Sequence, residues 1–233
     1  MTFQWAVATH RGRVRQNNED SVHPTSSGRG EDVLVVVADG MGGAVAGEVA
    51  SRLAVEAAVE GSGSEEELVT AGNDAILETV SARPELAGMG STVTLVRLEG
   101  QTARFAHVGD SRAYLLRDGA FTQVTEDHTV VNDYLRAGAI SAEEVDSHPQ
   151  RHMLTRAVGL DPDLAVDSFT RRLEPGDRLL VCSDGLTGML SDDDIAGVLD
   201  DATPEEAVWE LVERANAAGG QDNITVVVVD VEP

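Results

Sequence analysis

The stretch LVVVADGMGG, residues Leu34 to Gly43, decides the fold around it. A run of apolar, strand-favouring residues leads directly to Asp39, and three of the next four residues are glycines. Because glycine has no Cβ, these positions leave the carboxylate uncovered and let another group approach the backbone closely. The following residues, AGEVASRLAVEAAVE, have a helical pattern and do not return as a strand. We therefore predict a buried strand that delivers Asp39 to a binding site.

A second Asp-Gly pair shows the ordinary alternative. In YLLRDGAFTQV, Asp118 and Gly119 separate two strand-like runs. This dipeptide favours the two-residue turn of a hairpin, since glycine accepts a positive φ and aspartate bonds its own backbone. We predict a plain hairpin there, which sets Asp39 apart.

Composition narrows the class of protein. The chain has 233 residues, 42% of them hydrophobic, which suits a soluble globular fold. No apolar run approaches the roughly 20 residues that a membrane helix needs, and the start, MTFQWAVATHRGR, lacks the apolar core of a signal peptide. The single Cys182 excludes an internal disulfide and a multi-cysteine zinc site, and its place in the strand-like run RLLVCSDG indicates a small buried residue. We expect a cytoplasmic monomer without a membrane span.

The charge excludes two kinds of partner. A formal net charge of −24 repels nucleic acid and anionic lipid, so we expect neither to bind. Most of the carboxylates serve solubility on this interpretation. The remaining carboxylates can be recognised by their position relative to the predicted strands and helices.

The coarse pattern predicts strands and helices in alternating groups. The predicted strands are Gln4–Thr9, Val33–Ala38, Ser91–Leu98, Thr102–Val108, Ala113–Arg117, Val166–Arg171, Arg178–Ser183 and Asn223–Val231. The predicted helices are Gly47–Glu60, Glu65–Ala82, Thr129–Ala137, Asp192–Leu199 and Pro204–Ala217. Ser191 and Thr203 are N-caps by their position before acidic first turns. The segment Pro24–Asp32 reads as a surface loop.

Short turns between successive strands favour antiparallel sheets. Two such sheets with helices outside account for the number of elements.

Several acids lie against the predicted strand ends. Asp39, Asp110, Asp184 and Asp222 each have a glycine within two residues, and Glu19 and Asp20 come just before the next strand region. Arg15 and Arg112 are the exceptions to a near absence of cations beside these acids. A turn or a helix cap explains any one of them. Carboxylates gathered at one place repel each other and hold protons unless cations neutralise them. An all-oxygen set favours Mg²⁺ or Mn²⁺ over Zn²⁺, and two such ions can hold a hydroxide and clamp a phosphoryl group.

The sequence resembles the metal-dependent Ser/Thr protein phosphatases, the PPM or type 2C family, in its compact bacterial form. The resemblance runs nearly end to end and is carried by RGRVRQNNEDS, VVVADGMGG, GMGSTVTL, AHVGDSRAYLLRDG, TEDHTVV, HPQRHMLTRAVG, CSDGLTGML and GGQDNITVVVV. It implies an α+β, four-layer α-β-β-α sandwich that forms one catalytic domain over residues 1–233. It also implies hydrolysis of phosphoserine and phosphothreonine in proteins by a hydroxide held between two Mn²⁺ or Mg²⁺ ions.

The resemblance also implies roles for individual residues. Asp39 would bridge two ions, the Gly40 carbonyl would complete one of them, and Asp184 and Asp222 would hold the other side. Arg15 would grip the substrate phosphate. The remaining implied roles are a weaker third ion on Asp110 with Asp184, contact with metal waters for Glu19, positioning of Asp222 for Asn223, and a mobile flap over residues 127–158.

Two positions depart from the family or leave alternatives open. Some members have a histidine, assigned as the general acid, where this chain has Met41, so the leaving alkoxide must take its proton from a metal-held water or another group. His152 in the flap could approach the third ion or the substrate, but an exposed loop histidine is the simpler interpretation. Asp110 could be a turn residue that forms a surface ion pair with Arg112.

Three functions fit the sequence. The first is a protein Ser/Thr phosphatase acting on phosphorylated proteins, the products of Ser/Thr kinases. The second is a regulatory phosphatase of the same fold, dedicated to one phosphoprotein such as an anti-sigma-factor antagonist. The third is a non-enzymatic acidic module that binds Ca²⁺ or a partner, which does not need the phosphate grip of Arg15. The chain is a catalytic module alone or a fragment of something longer.

Overall fold

The computed structural model describes residues 1–43, 45–145 and 147–233. The strands are β1 (Thr2–His10), β2 (Asp20–His23), β3 (Gly28–Gly30), β4 (Asp32–Met41), β5 (Gly90–Ser91), β6 (Val93–Glu99), β7 (Thr102–Val108), β8 (Arg112–Arg117), β9 (Ala120–Gln123), β10 (Asp167–Arg172), β11 (Arg178–Cys182) and β12 (Ile224–Glu232). The helices are α1 (Ala46–Glu60), α2 (Glu65–Ala82), α3 (Val130–Arg136), α4 (Ala142–Val145), α5 (Asp184–Thr187), α6 (Asp192–Asp201) and α7 (Pro204–Ala217), with a 3₁₀ turn at Pro84–Leu86.

The strands form two sheets. One sheet has the order β3-β1-β12-β11-β8-β9, and the other has the order β10-β7-β6-β4-β2, with β5 paired to β4. The pairing is antiparallel at every ladder among the described residues, as predicted from the short turns.

Apolar side chains form a core between the two sheets and one further core on each outer face. Phe3, Phe105 and Val227 represent the cluster between the sheets. Helices α1 and α2 cover the outer face of the second sheet, and α6 and α7 cover that of the first. Both sides of each sheet are therefore buried, which explains the nearly continuous valine run of β12. The four-layer α-β-β-α prediction is confirmed.

The capping and hairpin predictions are also confirmed. Ser191 and Thr203 each accept a hydrogen bond from the backbone of the third helical residue, whose side chain returns the bond. Asp118 and Gly119 have φ values of 52° and 77° and join β8 to β9. These are the backbone angles that the Asp-Gly pair favours.

Three strand predictions were wrong in detail. The strand that was predicted to end at Ala38 continues to Met41, because β5 supplies a partner for its last two residues. The predicted strand Ser91–Leu98 is interrupted at Thr92, where the chain crosses from β5 to β6. The predicted loop Pro24–Asp32 contains β3, which pairs with β1 beside the Trp5 ring.

Candidate active site

Asp39 lies within β4 and faces another acid across the ladder. Its antiparallel partner is Asp20 of β2. The backbone of Asp39 is fixed from the other side, because its N–H donates to Thr92 Oγ1 at 3.0 Å and its carbonyl accepts from Ser91 Oγ at 3.0 Å. The side chain is thereby held on a rigid strand, with bonds to the main chain that do not occupy its carboxylate.

The glycines after Asp39 are explained by close packing. A Cβ on Gly40 would lie 2.0 Å from the carbonyl oxygen of Gly47 in α1, and a Cβ on Gly47 would lie 2.2 Å from Glu19 Oε2. Glycine at both positions lets the start of α1 and the Glu19 carboxylate meet the end of β4. The predicted close approach to the backbone is therefore observed, although the groups that approach belong to the protein.

Asp184 and Asp222 are brought together by the neighbouring strands β11 and β12. Asp184 opens α5 directly after β11, and Asp222 precedes β12. A Cβ on Gly185 would lie 1.9 Å from the carbonyl oxygen of Asn223, so the two segments touch.

Asn223 ties the loop of residues 11–19 to Asp222. Its backbone N–H donates to Asp222 Oδ1 at 2.8 Å, and its Oδ1 accepts from the Glu19 backbone N–H at 2.7 Å. Its Nδ2 donates to the carbonyls of Arg11 and Asn17 at 3.0 and 2.9 Å. A buried amide with these partners fixes the loop that carries both Arg15 and Glu19.

These elements border a single cleft of about 1910 Å³. The cleft brings together most of the residues singled out from the sequence, whereas Asp20 is not in its lining; those that line it are Arg15, Glu19, Asp39, Gly40, Met41, Asp110, Arg112, His152, Asp184 and Asp222. Asn223 lies behind the lining. Several described residues between 123 and 165, many of them in the predicted flap, also line the cleft.

The carboxylates of the cleft act strongly on each other. Burial raises the pKa of Asp39 well above its ordinary value, and the charges of Asp20, Asp184, Asp110 and Asp222 raise it further. Burial raises the pKa of Asp110 to about 8, and the Asp184 charge adds to the effect. Such groups take up protons unless a cation neutralises them.

Asp20 is a buried carboxylate next to Asp39 in the sheet, and the sequence did not resolve its role. Its Oδ2 accepts hydrogen bonds from Ser183 and Thr225 at 2.8 and 2.6 Å, while its Oδ1 is buried without a partner. Burial raises its pKa to about 7. Glu19 and Asp20 are adjacent in a loop-like run, and only the pairing of β2 with β4 decides which of them lies opposite Asp39.

The residues of the cleft fit a hard divalent cation. Asp20 and Asp184 each keep one buried carboxylate oxygen without a hydrogen-bond partner. Within residues 1–43, 45–145 and 147–233, no three His, Cys, Asp or Glu side chains converge into a ready-made cage. Mg²⁺ and Mn²⁺ keep several waters and need only one or two protein carboxylates each, so a shared acidic cleft suffices.

The two arginines near the acids have different partners. Arg15 donates from Nη2 to Asp222 Oδ2 at 2.7 Å, and its side chain remains 49% exposed at the cleft. Arg112 binds both oxygens of Asp127 at 2.7 to 3.0 Å and also donates to the Tyr114 hydroxyl. The considered ion pair between Arg112 and Asp110 is therefore not formed.

His152 and Cys182 differ in their access to the cleft. His152 is exposed, as expected of a loop histidine, and its Nδ1 lies 3.8 Å from Asp184 Oδ2, which raises its pKa. Cys182 is fully buried in β11, and burial raises its thiol pKa to about 12. A thiol in this state is not a nucleophile.

Comparison with known proteins places this architecture in one family. The sequence profile of the family described as protein phosphatase 2C matches residues 8–223. The chain is 41% identical to the serine/threonine protein phosphatase PstP of Mycobacterium tuberculosis over 99% of its own length and 45% of that protein. It is 36% identical to the serine/threonine phosphatase stp of Listeria innocua, covering 95% of this chain and 93% of that protein.

Solved structures agree with the sequence comparison. The crystal structure of the M. tuberculosis phosphatase PstP/Ppp superposes with a TM-score of 0.93 at 40% identity, covering 100% of both chains. The PstP catalytic domain in complex with two manganese ions gives a TM-score of 0.89 at 39% identity, covering 100% of this chain and 99% of that chain. With the cleft and its carboxylates in the same fold, the chain belongs to the protein phosphatase 2C family.

Proposed function

We propose that this chain is a metal-dependent protein serine/threonine phosphatase. The observation that carries the proposal is the convergence of carboxylates from separate strand ends on one cleft that also exposes the Arg15 guanidinium. A binding module has no need for this combination. The names of the relatives support the same activity, although the chain spans 45% of the length of the M. tuberculosis phosphatases that it matches.

The cofactor that we propose is Mn²⁺ or Mg²⁺, as two central ions with a third, weaker one. Asp39, the Gly40 carbonyl, Asp184 and Asp222 would hold the central ions, and Asp110 with Asp184 would hold the weaker one. The PstP structure with two manganese ions supports the central pair. When bound, the ions supply an activated water and neutralise the negative charge of the phosphoryl group.

The residues of the chain supply binding and orientation. Arg15 is exposed at the cleft and offers parallel N–H groups that match two phosphate oxygens. Glu19 lines the cleft and would contact waters of the bound ions, and Asn223 keeps Asp222 in place through its backbone N–H. The Met41 side chain has no acidic proton to donate, so the group that protonates the leaving serine or threonine oxygen is another residue of the cleft or a water.

We further propose that the partners are phosphorylated proteins, the products of Ser/Thr kinases, and that the protein acts as a cytoplasmic monomer. The fully buried, unpaired Cys182 is compatible with a reducing compartment. The acidic surface disfavours nucleic acid. None of the described helices is long and apolar enough to cross a membrane.

Hydrolysis of a phosphothreonine peptide tests the activity. We expect release of phosphate with Mn²⁺ and none after treatment with EDTA. Asp39→Asn removes a carboxylate charge at the centre of the cleft. We therefore expect the rate of hydrolysis to fall at least about a thousandfold, which corresponds to a barrier higher by about 4 kcal/mol. Asp74→Asn, on the exposed side of α2, is the matched control and should retain full activity. Near-normal turnover in EDTA or by Asp39→Asn would contradict the proposed mechanism, and a panel of phosphoproteins separates a broad enzyme from a dedicated one.

A further inference from the structure

His128 has two hydrogen bonds to one residue, Gly109, which directly precedes Asp110. The Gly109 N–H donates to the Nδ1 atom of the His128 ring at 3.0 Å, and the His128 backbone N–H donates to the Gly109 carbonyl at 2.8 Å. The His128 side chain is 2% exposed. One bond from the buried ring and one from the His128 main chain hold both the N–H and the carbonyl of Gly109, which fixes the position of the peptide that follows.

The bond to Gly109 decides the tautomer of His128. A backbone N–H can only donate, so Nδ1 must be unprotonated and the ring hydrogen must lie on Nε2. Nε2 faces Asp167 Oδ2 at 3.2 Å, and Asp167 is itself held by Arg156 at 2.6 Å. Burial lowers the pKa of His128, in agreement with a neutral ring.

Gly109 is held equally firmly on its other side. Its φ of +108° is in the region that favours glycine, and a Cβ there would lie 2.6 Å from the side chain of Thr92. Thr92 is the residue whose hydroxyl accepts the backbone N–H of Asp39. The peptide before Asp110 is therefore clamped between His128 and the support of Asp39.

From this arrangement we propose that His128 is a positioning residue, which aims the Asp110 carboxylate into the cleft through its Nδ1 bond to Gly109. The inference rests on the proposed phosphatase activity and on the use of Asp110 there. It gives a role to the motif TEDHTVV, which otherwise has none in the reaction. His128 does not touch the substrate, so its effect must pass through Asp110.

Two substitutions separate the ring nitrogens. The Oδ1 atom of Asn stands near the place of Nδ1, so His128→Asn keeps an acceptor for Gly109 and loses the bond to Asp167. The Nε2 atom of Gln stands near the ring Nε2, so His128→Gln keeps the bond to Asp167 and loses the acceptor. We expect His128→Gln to lower kcat/KM on a phosphopeptide on the order of tenfold or more, as small misplacements of catalytic groups do. His128→Asn should stay within about threefold of wild type, a change that corresponds to under 1 kcal/mol.

A double-mutant cycle with Asp110→Ala shows whether the effect passes through Asp110. In the Asp110→Ala background, His128→Gln should cause no further loss, because the carboxylate that it positions is gone. Calorimetric titration with Mn²⁺ gives a readout besides activity, in which His128→Gln should weaken the weakest binding event and leave the tighter ones unchanged. The proposal would be overturned by any of three results: activity losses that multiply in the cycle, an unchanged affinity for the weakest Mn²⁺ ion, or equal activity losses in the Asn and Gln variants. Each would show that His128 only stabilises the fold.

The wild-type protein provides a test that does not depend on folding of the variants. Nitrogen NMR of the histidine rings should show His128 with its hydrogen on Nε2, and the Gly109 amide should exchange slowly. The opposite tautomer or a rapidly exchanging Gly109 amide would overturn the clamp. If the wild type is inactive while the Gly109 amide exchanges slowly, the proposed phosphatase activity is refuted, and the role of His128 in catalysis with it. If the wild type is active and His128→Gln is as active as the wild type, only the positioning role is refuted.

Discussion

Arg15 illustrates how much depends on a single side chain at the cleft. Among the residues that the structure describes, it forms an ion pair with Asp222 alone, and about half of the side chain faces solvent, so the guanidinium can reach a phosphate without breaking a buried contact. A surface pair of this kind contributes little to stability, in general about 0–1 kcal/mol. We therefore expect Arg15 to matter more for binding an anion than for the fold.

Arg15→Lys should weaken the use of substrate and leave the affinity for metal nearly unchanged. Lysine keeps the charge but cannot bind two phosphate oxygens in parallel. We expect kcat/KM on a phosphopeptide to fall on the order of tenfold, that is, by about 1.4 kcal/mol. Arg13→Lys, in the same loop but outside the cleft lining, is the control. Equal damage to Mn²⁺ binding in calorimetry would instead assign Arg15 to the support of Asp222.

Asp110→Ala tests the residue whose role the sequence left most open. The structure removes one alternative, because Arg112 pairs with Asp127, and it places Asp110 on the cleft lining. We expect a folded protein that retains the central ions and loses most activity on phosphoproteins, whose alkoxide leaving groups need a proton. The loss on p-nitrophenyl phosphate should be smaller, since its leaving group is already stable. Equal losses on the two substrates would refute a role in proton supply, and no loss on either would return Asp110 to the turn.

At the scale of elements, the helix caps allow a prediction about stability alone. The Thr203 hydroxyl accepts from the Glu206 N–H at 3.3 Å, and Glu206 Oε2 accepts from the Thr203 N–H at 3.0 Å. Thr203→Ala should destabilise the protein by about 1 kcal/mol. The melting temperature should fall by about 2–4 °C for a chain of this size.

The control for this prediction is Glu205→Ala, one position before Glu206 on the exposed side of α7. It removes an acid from the first turn and leaves the capping box intact, so the free energy of unfolding should fall only by the contribution of a charge near the helix N-terminus, about 0.3–1 kcal/mol. Phosphatase activity should be unchanged in both variants, because α7 lies outside the cleft. A Thr203→Ala variant as stable as wild type would mean that packing of α7 against β1 and β12 alone fixes the helix end.

Elements with strong local signals were predictable, and those formed by pairing were not. Helix α2 and strand β7 have the predicted bounds, since cap residues and turns mark both. Strand β3 has glycine at both ends and no apolar pattern, and it is a strand because its backbone pairs with β1. Strand β2 likewise depends on β4 for its pairing, which hid the position of Asp20 opposite Asp39.

The same limit applies to the site. The acids at strand ends could be recognised because each interrupts an apolar run beside a glycine. The resemblance to the type 2C family supplied roles, which stay predictions. The contacts that aim the side chains, such as Gly40 against Gly47 or Asn223 against Glu19, join residues that are distant in sequence. A single chain carries no local signal for such contacts, because they depend on how the layers pack.

At the scale of the whole molecule, the repulsion that comes with the net charge of −24 is stronger in some places than in others. Acids on the surface are solvated and repel each other weakly. The carboxylates at the cleft and directly behind it are crowded, and burial raises the pKa of Asp20 to about 7 and that of Asp110 to about 8. The dependence of stability on metal and pH is therefore concentrated in the cleft.

Stabilisation by Mn²⁺ should increase with pH. Asp20, Asp39 and Asp110 have folded-state pKa values above the ordinary 3.8, so at these groups the folded, metal-free protein binds more protons than the unfolded chain. Their contribution is fully present below about pH 4 and is lost as the pH rises through about 7 to 8. Bound Mn²⁺ replaces the protons, so we expect the difference in melting temperature between samples with Mn²⁺ and with EDTA to widen between about pH 5 and pH 8.

The difference in melting temperature between the Mn²⁺ and EDTA samples does not include the pH dependence of groups outside the cleft, because that dependence is the same in both samples. Burial lowers the pKa of His107 to about 3, so its contribution is present above its ordinary value of 6.5 and is lost as the pH falls toward 3. His107 bonds Thr94 and the Glu126 carbonyl and does not line the cleft, so its effect is the same with and without Mn²⁺ and cancels. Asp39→Asn removes one repelling charge and should flatten the rise. A difference that stays constant or shrinks as the pH rises would show that Mn²⁺ does not act by neutralising these carboxylates.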